Sequence, residues 1–532
     1  MSLFEKVLVK KPKRSRLDFT HGNSVSMRFG MLTPTECRFI VPGDDVAVSM
    51  EQIVRLSPMP VPTFVNMKVR HDWFFVPLSM MYDQRSMDLL LGSQSSRNRA
   101  RVAGIGAYQK IFAPYTSPLL PSSIHDYLGY PVIADSNSNA GTEIGDFNAS
   151  PTSAYYNALL TQTDVASTLT NDTNPLNIEP LLAYHYIWRD YYRFTGIQTD
   201  VVPTTDSWLE NHILNPTFIS TAITGTNTIN DFAPYEFRHR AQGLLTDSFD
   251  SYLGIPYYAH YKKDMFTSVR YGSKPAVLIP TGGSGTIPNL REASAIQKFI
   301  DIISITGQRY WDKVKGLWDE TPEGMKDERV KFLGRYQAFV KVGEVITTAT
   351  TNQADTGDYA GRGLLIDGKY IFRRHFTEHG WLMCISSIVP DLHYTGLSRQ
   401  LTDVNMLDTP VPSLAQVGDQ SVKRKEMLYD FMGNTSQNEL VLGDQFRYYA
   451  YKSAPNEVHG DFKMNTFKAW TAMGKFSYGN NIIDMTRILP QDWNDVFNVT
   501  SDTPIFGSRF YLDLTFHEFI TRKLPKYVAY SL

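Results

Sequence analysis

The sequence predicts a mainly β fold, a sandwich or jelly roll, because apolar and polar residues alternate in three segments near the two ends of the chain. Between Val65 and Phe75 the odd positions are apolar apart from His71, which is the period of a half-buried strand. The same alternation runs from residue 46 to residue 50 and from residue 510 to residue 516. These three segments are the predicted strands.

The strand at residues 65–75 cannot be stable by itself. Burial of its five apolar side chains contributes about 1.5–3 kcal/mol each. Ordering its eleven backbone residues costs about 1–2 kcal/mol each. The strand therefore needs a second sheet over its apolar face, which is the arrangement found in a sandwich or jelly roll.

The domain organisation follows from the absence of any linker-like composition. The 532 residues contain no Gly/Ser-rich or Pro-rich hinge and no repeat. Although this length alone suggests about three domains, we predict a basic N-terminal arm at residues 1–30 and a single domain at residues 31–532 with long insertions. Pro62 and Pro77 bound the strand at residues 65–75, since proline cannot donate a ladder hydrogen bond.

One amphipathic helix is predicted inside a long connection. Asn289 and Glu292 have the spacing of an N-cap and a capping-box acid, and Gly307 ends the pattern. The helix is expected to pack on the sandwich or on a neighbouring subunit. Its apolar face consists of Leu290, Ala293, Ile296, Phe299, Ile300 and Ile303.

Composition excludes several classes of protein. Apolar residues make up 42% and aromatic residues 13% of the chain, with a net charge of -2, so the chain can bury a large core and is neither disordered nor strongly basic. No run approaches the roughly eighteen apolar residues of a membrane helix, so no membrane insertion is expected.

The N-terminus has no secretory pattern, and Cys37 and Cys384 suit a reduced compartment as small buried hydrophobes. Synthesis in the cytoplasm is therefore expected.

Basic residues are concentrated at the N-terminus. Before Asp18 they face a single acid, Glu5, in a chain that is otherwise near neutral. A short basic segment that contains Pro12 is expected to be poorly ordered and attracted to phosphate. An ordinary solvated terminus is the alternative interpretation. The candidate nucleic-acid-binding residues are Lys6, Lys10, Lys11, Lys13, Arg14 and Arg16.

Aromatic residues cluster between residues 184 and 194. One interpretation, together with Arg189 and Arg193, is a base-stacking platform for nucleic acid. Packing in the core or at a subunit contact is favoured, because interface hot spots prefer Tyr, Trp and Arg. The candidates for a subunit interface are Tyr184, Tyr186, Trp188, Arg189, Tyr191 and Tyr192.

Residues 375–379 match H-x-x-E-H, the inverted form of a zinc-protease motif. The motif requires a helix, on which two histidines one turn apart face one metal and the Glu acts as base. The bulky flanking residues predict strands, where residues four apart lie roughly 13 Å from each other. We therefore predict no catalytic residues, no bound metal and no cofactor. The alternatives are a zinc-dependent hydrolase acting through His375, Glu378 and His379, and a carbohydrate-binding β-sandwich.

A series of short phrases runs in one order along nearly the whole chain. They are Leu-Thr-Pro at 32–34, Val-Pro-Gly-Asp at 41–44, Arg-Leu-Ser-Pro at 55–58, Trp-Phe-Phe-Val-Pro at 73–77, Asp-Tyr-Leu-Gly-Tyr-Pro at 126–131, and the sequences at 182–193, 263–268, 286–293, 376–380, 415–420 and 449–460. In this order the phrases resemble the major capsid protein of the microviruses, the small icosahedral single-stranded DNA phages, and most closely the gokushovirus branch. Each phrase alone is weak, but the complete ordered series is hard to obtain by chance.

The resemblance implies an eight-stranded antiparallel jelly roll with long loop and helix insertions and no enzyme activity. It implies that sixty copies self-assemble, in the cytoplasm of a host bacterium, into a T=1 icosahedral shell around a single-stranded DNA genome. Further implied partners are scaffolding, pilot or minor virion proteins and a host cell-surface receptor. In such a jelly roll the early strands within residues 31–77 are neighbours of the closing strand at residues 510–516.

The sequence departs from the family at one place. A long insertion that forms a protrusion at the threefold axis is expected between the phrase at 263–268 and the helix that begins at residue 286, but only residues 269–285 lie there. The polar stretch at residues 134–175 is therefore the better candidate for a variable exposed loop and for host attachment.

Overall fold

The computed structural model describes most of the predicted strand regions of the 532-residue chain. The described residues are 14–80, 124–129, 179–192, 256–269, 310–320, 329–346, 359–402, 409–415, 419–429, 438–467, 469–471 and 508–524, with a few single positions between them. The predicted exposed loop at residues 134–175 and most of the predicted helix at residues 289–307 lie outside these ranges.

Strands dominate the described part of the chain. The strands are β1 Ser15–Asp18, β2 His21–Met27, β3 Thr33–Ile40, β4 Asp45–Leu56, β5 Met67–Pro77, β6 Lys331–Ile346, β7 Tyr359–His375, β8 Gly380–Pro390, β9 Asp419–Lys423, β10 Val441–Phe446 and β11 Phe510–Arg522. The α-helices are α1 Ile124–Tyr127, α2 Glu179–Ile187, α3 Tyr310–Trp318, α4 Arg399–Thr402 and α5 Arg424–Met427. A π-helical turn at Trp188–Tyr192 continues α2, and 3-10 turns lie at Leu78–Met80, Pro412–Leu414, Tyr449–Tyr451, Gly460–Lys463 and Asn465–Phe467.

Nine strands form one antiparallel sheet in the order β1-β11-β4-β7-β6-β5-β8-β3, with β2 also paired to β11. The long strand β6 pairs with β5 through its first part and with β7 through residues 341–346. The sheet therefore folds over at β6 into a larger layer (β1, β2, β11, β4 and β7) and a smaller layer (β6, β5, β8 and β3). This is a mainly β, jelly-roll-like fold with insertions, which confirms the predicted fold class.

The closing strand lies beside an early strand, as predicted. β11 pairs with β4 from Phe510 opposite Leu56 to Thr521 opposite Asp45. The inward residues of both strands are buried, because alternate side chains of a strand point to one face, and all of them except Gln52 and Glu518 are apolar. The alternation at residues 46–50 and 510–516 therefore identified two adjacent strands of one layer.

Trp73 of β5 is the central side chain between the two layers. It is fully buried, and its ring lies 5.6 Å from the ring of Phe372 and 5.8 Å from that of Phe516, both in edge-on contacts. Phe372 and Phe516 belong to the larger layer, whereas Trp73 belongs to the smaller layer. Contacts of this geometry add roughly 0.5–1.5 kcal/mol to the area that they bury, so they stabilise the packing of one layer on the other.

A chain of buried polar side chains also crosses the core. Nε2 of His71 on β5 lies 2.9 Å from Oε1 of Gln52 on β4, and its Nδ1 lies 2.7 Å from Oγ of Ser386 on β8. Ser386 in turn lies 2.7 Å from Oγ1 of Thr35 on β3. Burial lowers the pKa of His71 to about 3. The ring is therefore neutral, and Nε2 donates to Gln52 while Nδ1 accepts from Ser386.

The prediction that the strand at residues 65–75 is half-buried is wrong. Along β5 both faces are covered, and Lys68, Asp72 and Phe74 on the supposed polar face are buried as well. The cover comes from the turn that follows α2, where the ring of Tyr191 lies 4.9 Å from that of Phe74. The apolar residues at every second position therefore identify only the face that meets the larger layer.

Strands also occupy part of the range assigned to the N-terminal arm. β1 and β2 lie within residues 1–30, and both pair with β11. Val25 and Met27 of β2 are buried against the core, which holds this segment in the larger layer. Within the described residues, the chain therefore joins the sheet at Ser15.

Both cysteines are free thiols. Cys384 is fully buried, as expected, but Cys37 is only half-buried. Burial raises the pKa of each thiol well above its usual value. Both side chains therefore remain protonated and act as small apolar groups.

Helices make a small contribution to the described part of the chain. None of them is long and apolar enough to cross a membrane. Within the predicted helix at residues 289–307, Ile296 and Phe299 are helical, with exposed fractions of 42% and 49%. Both belong to the predicted apolar face, so that face is exposed at these two positions.

Candidate nucleic-acid and assembly surfaces

The N-terminal basic segment joins the fold at a sheet edge. β1 lies at the end of the larger layer, with Ser15 opposite Arg522. Arg14 and Arg16, two of the six predicted nucleic-acid-binding residues, are exposed. The guanidinium of Arg16 lies 4.1 Å from the centre of the Phe519 ring, a cation–π contact. The other four predicted residues, Lys6, Lys10, Lys11 and Lys13, lie outside the described residues.

Another exposed arginine lies near the same end of the larger layer. Arg373 of β7 donates from Nη2 to Oδ2 of Asp45 over 2.9 Å, and 68% of its side chain is exposed. This hydrogen bond lowers the pKa of Asp45, with weaker contributions from the charges of His375 and Arg14. Arg14 and Arg373 are therefore close enough to act on the same carboxylate.

The predicted interface residues divide into buried and exposed groups. Tyr184, Tyr186 and Trp188 are buried within the chain itself. Trp188 stacks on Tyr257 with ring centres 4.1 Å apart. These three side chains are part of the core, which was the other interpretation of the cluster, and they cannot stack on bases from solvent. At the surface, Tyr191 is 39% exposed.

Helix α2 and its following turn are positioned by polar contacts with the sheet. All nine residues of α2 are buried, so the helix is covered on every side. Trp381 of β8 donates from Nε1 to Glu179 at the start of α2, over 2.9 Å. At the other end, the Tyr192 hydroxyl donates to Asp72 over 2.7 Å, and Arg335 donates to the same carboxylate. The aromatic segment is therefore a fixed outer cover of the smaller layer.

The H-x-x-E-H sequence has no zinc-binding geometry. His375 is the last residue of β7, and residues 376–379 form the connection to β8, so the motif does not lie on a helix. Nζ of Lys331 donates to Oε1 of Glu378 over 2.5 Å, and the half-buried His379 packs against Phe39 with ring centres 6.0 Å apart. Among the described residues, no group of three or more His, Cys, Asp or Glu could hold a metal ion. The zinc-hydrolase alternative has no support in this geometry.

A charged cluster that the sequence did not predict lies between the layers. Arg38 of β3 contacts Glu36 on its own strand and Glu518 on β11, each over 2.8 Å. Nε2 of His21 on β2 lies 2.6 Å from the other oxygen of Glu36. The hydrogen bond to Glu36 raises the pKa of His21 to about 9, and burial raises that of Glu518 to about 7. Arg38 and Glu518 are 480 positions apart, so no local pattern could have revealed the contact.

An exposed aromatic cluster lies at the opposite end of β4 from the N-terminal segment. Phe64, 61% exposed, lies with its ring 5.4 Å from that of Trp470 and 6.0 Å from that of Phe462. Phe462 is in turn 6.0 Å from Phe467. Successive backbone hydrogen bonds fix the cluster, among them Trp470 N to Phe467 O and Phe64 N to Trp470 O, both 2.9 Å. We call Phe64, Phe462, Phe467 and Trp470 the aromatic platform.

Comparison with known proteins identifies the class of protein. The sequence model of a phage family described as capsid protein (F protein) matches residues 6–140 and 273–530. The chain is 22% identical over 573 residues to the capsid protein VP1 of Chlamydia phage 1, covering 94% of this chain and 91% of that protein. It is 20% identical over 489 residues to the capsid protein VP1 of Bdellovibrio phage phiMH2K, covering 85% and 83%.

The family match covers most of the chain, so the chain belongs to the phage capsid protein (F protein) family. It is a microvirus major capsid protein, a structural component of a bacteriophage virion. This confirms the resemblance and the function predicted from the ordered phrases. The jelly-roll-like fold of the described residues supplies a sandwich core for such a protein.

Proposed function

We propose that sixty copies of this major capsid protein form a closed T=1 icosahedral shell around a single-stranded DNA genome. The family and the two relatives, each named a capsid protein, support assembly into a multi-copy shell. The chain also leaves large apolar side chains exposed, including Phe64, Ile366 and Leu401. Exposed apolar surface of this kind is typical of protein contact sites.

The shell is stabilised by many modest contacts. A standard contact between subunits buries roughly 1,600 Å² in total, and each such contact can be weak in isolation. A subunit that contacts several neighbours is bound more tightly than by any single contact. The reason is effective concentration, because each further contact forms within one assembly. The aromatic platform is suited to the centre of one contact, since rigid aromatic residues lose little conformational entropy on binding.

The N-terminal basic residues bind the phosphates of the packaged DNA. Lys6, Lys10, Lys11 and Lys13 precede the exposed pair Arg14 and Arg16 in the sequence, against the single acid Glu5. Neutralising phosphates releases condensed counterions, so the affinity of this segment for single-stranded DNA falls as salt concentration rises. This segment precedes β1, which lies at the edge of the larger layer, and that position supports the proposed contact with the genome.

The remaining partners follow from the same proposal. Residues 134–175 form a variable exposed loop that contacts the host receptor, and most of this stretch lies outside the two ranges that the family model matches. Scaffolding, pilot or minor virion proteins assist assembly in the cytoplasm of the host bacterium. Exposed loops of this kind carry recognition because they vary without disturbing the core.

The test separates shell formation from DNA packaging. Negative-stain microscopy of the full-length protein, expressed with the rest of its phage genome, is expected to show uniform round shells, and their nuclease-resistant DNA content is measured in parallel. Deletion of residues 1–13 leaves β1 intact, so we expect shells that contain less DNA. A full genome in the deletion variant contradicts the role of the basic segment, and persistent monomers of the intact chain contradict the shell.

A further inference from the structure

We propose that the outer face of the larger layer, where the N-terminal segment joins it, is a second binding site for single-stranded nucleic acid. The site consists of Arg14, Arg16, Phe519, Tyr370 and Arg373, which we call the arm-exit face. The inference rests on the proposed function, because it requires a packaged single-stranded genome. It adds a site on the folded domain to the contacts of the preceding basic segment.

The strand register places these side chains on one surface. Phe519 lies opposite Ala47, and Ala47 lies opposite Arg373 on the next strand. Val46, Val48 and Met50 of β4 point into the core. The residues that alternate with them, and their partners across the sheet, therefore point outward. Arg16 shares this face because its guanidinium lies over the Phe519 ring.

The face is wide enough for a short stretch of a flexible strand. Three strand spacings separate β1 from β7, or roughly 14 Å at about 4.8 Å per spacing. Tyr370 lies on the same side, because its partner Ser49 is two residues along β4 from Ala47. Arg16, Phe519, Tyr370 and Arg373 therefore lie on a surface that a few nucleotides can cover, with Asp18 opposite Phe519.

The charge of this face differs from that of the chain as a whole. The chain has a net charge of -2, yet Arg14, Arg16 and Arg373 are exposed here beside two carboxylates, Asp18 and Asp45. Asp18 is engaged with the backbone N–H of Thr20 over 2.9 Å. An electropositive surface with exposed aromatic rings is the combination that binds single strands without sequence preference.

Each arginine retains the donors that a phosphate needs. The Arg16 guanidinium lies over the Phe519 ring, a contact that involves no carboxylate. Arg373 donates to Asp45 from Nη2, and a guanidinium carries five N–H donors. A phosphate oxygen would therefore compete with Asp45 for the N–H donors of Arg373.

Continuity with the basic segment selects nucleic acid as the occupant. Lys13 is the residue immediately before Arg14, so a strand bound by the preceding lysines reaches this face without a gap. An apolar protein contact would instead use the other end of the same face, where Leu364 and Ile366 are exposed. The arm-exit face lies at the opposite end of that surface from these two apolar side chains.

The test uses the salt dependence of binding. Purified full-length chain is titrated with a fluorescent single-stranded oligonucleotide at several salt concentrations. In the double variant R16Q/R373Q the slope of log affinity against log salt becomes shallower by about 1.4, from about 0.7 per phosphate contact on single strands. Arg55→Gln is the matched control, because Arg55 is an exposed arginine near the opposite end of β4. It should leave the slope unchanged.

A second variant separates DNA binding from a structural role. Asp45→Asn removes the carboxylate that competes for Arg373, so we expect tighter binding than in the unmodified chain. An unchanged slope in R16Q/R373Q, or a loss of shells with unchanged oligonucleotide binding, overturns the inference and assigns the face to a subunit contact. The proposed function survives that result if deletion of residues 1–13 still lowers the DNA content of shells. If the unmodified chain forms no shells, the proposed function is rejected, whatever the salt dependence of oligonucleotide binding.

Discussion

Arg38 donates from Nε to Oε2 of Glu518 over 2.8 Å, and this ion pair joins β3 of the smaller layer to β11 of the larger layer. Glu518 is fully buried, and burial raises its pKa to about 7. The carboxylate is tolerated there because Arg38 compensates part of the cost of removing its charge from water.

Replacement of Arg38 by Gln should therefore destabilise the fold. We expect a loss of about 2–3 kcal/mol at pH 8, where Glu518 is charged. This is less than the 3–5 kcal/mol typical of a fully buried pair, because 23% of the Arg38 side chain is exposed. Urea unfolding of the unassembled chain measures the change. As a control, Arg373→Gln breaks an exposed pair and should cost less than about 1 kcal/mol. Equal losses in both variants would contradict a special role of the buried pair.

His21 should make stability depend on pH above neutrality. Its hydrogen bond to Glu36 raises its pKa from 6.5 in the unfolded chain to about 9 in the fold. The folded chain therefore binds a proton more tightly, so this contribution is complete below pH 6.5 and is lost as pH rises towards 9. Thermal unfolding of His21→Asn should lack that decline. His459→Asn, at a side chain that is 75% exposed, should retain it, and an identical pH profile in all three proteins would refute the assignment.

His71 should act in the opposite direction and in a separate pH range. Burial lowers its pKa from 6.5 to about 3, so the folded chain resists protonation that the unfolded chain accepts. The stability from this residue is complete above pH 6.5 and is lost as pH falls towards 3. The difference in unfolding midpoint between the unmodified chain and His71→Gln should therefore shrink on acidification. A difference that stays constant from pH 7 to pH 4 would show that the ring is not neutral in the fold.

Gly380 should not tolerate a side chain. A Cβ at this position would lie 2.5 Å from both Cζ of Phe75 and the backbone oxygen of Val76. Because a backbone atom cannot move away cheaply, Gly380→Ala should cost about 1–3 kcal/mol through overpacking. Gly22→Ala is the matched control, since its nearest neighbour is the Leu514 oxygen at 3.9 Å. Equal unfolding midpoints for the two variants would contradict this packing.

The alternating strands were predictable because each has one face in the core. β4 and β11 show this directly, since every second residue is buried and all of these buried residues except Gln52 and Glu518 are apolar. β2 could not be recognised in the same way. Its sequence is mostly small and polar, and only Val25 and Met27 are buried. Its place in the sheet depends on pairing with β11, which is remote in sequence.

The candidate surfaces were predictable only where they depend on local sequence. The concentration of basic residues before Asp18 needs no fold to be seen. The arm-exit face requires the register between β1, β11, β4 and β7, which brings Arg16 and Arg373 together from opposite parts of the chain. The core position of Tyr184 and Trp188 also depends on contacts between distant parts of the chain. Aromatic residues suit a core and an interface equally, and only their contact with Tyr257 decides between the two.

Strand β6 belongs to both layers, with β5 on its first part and β7 on its last part. A displacement of one layer is therefore transmitted to the other through a continuous backbone and its ladder hydrogen bonds. Each subunit should respond to internal genome pressure as a stiff block, and the elastic compliance of the shell should be concentrated at the seams between blocks.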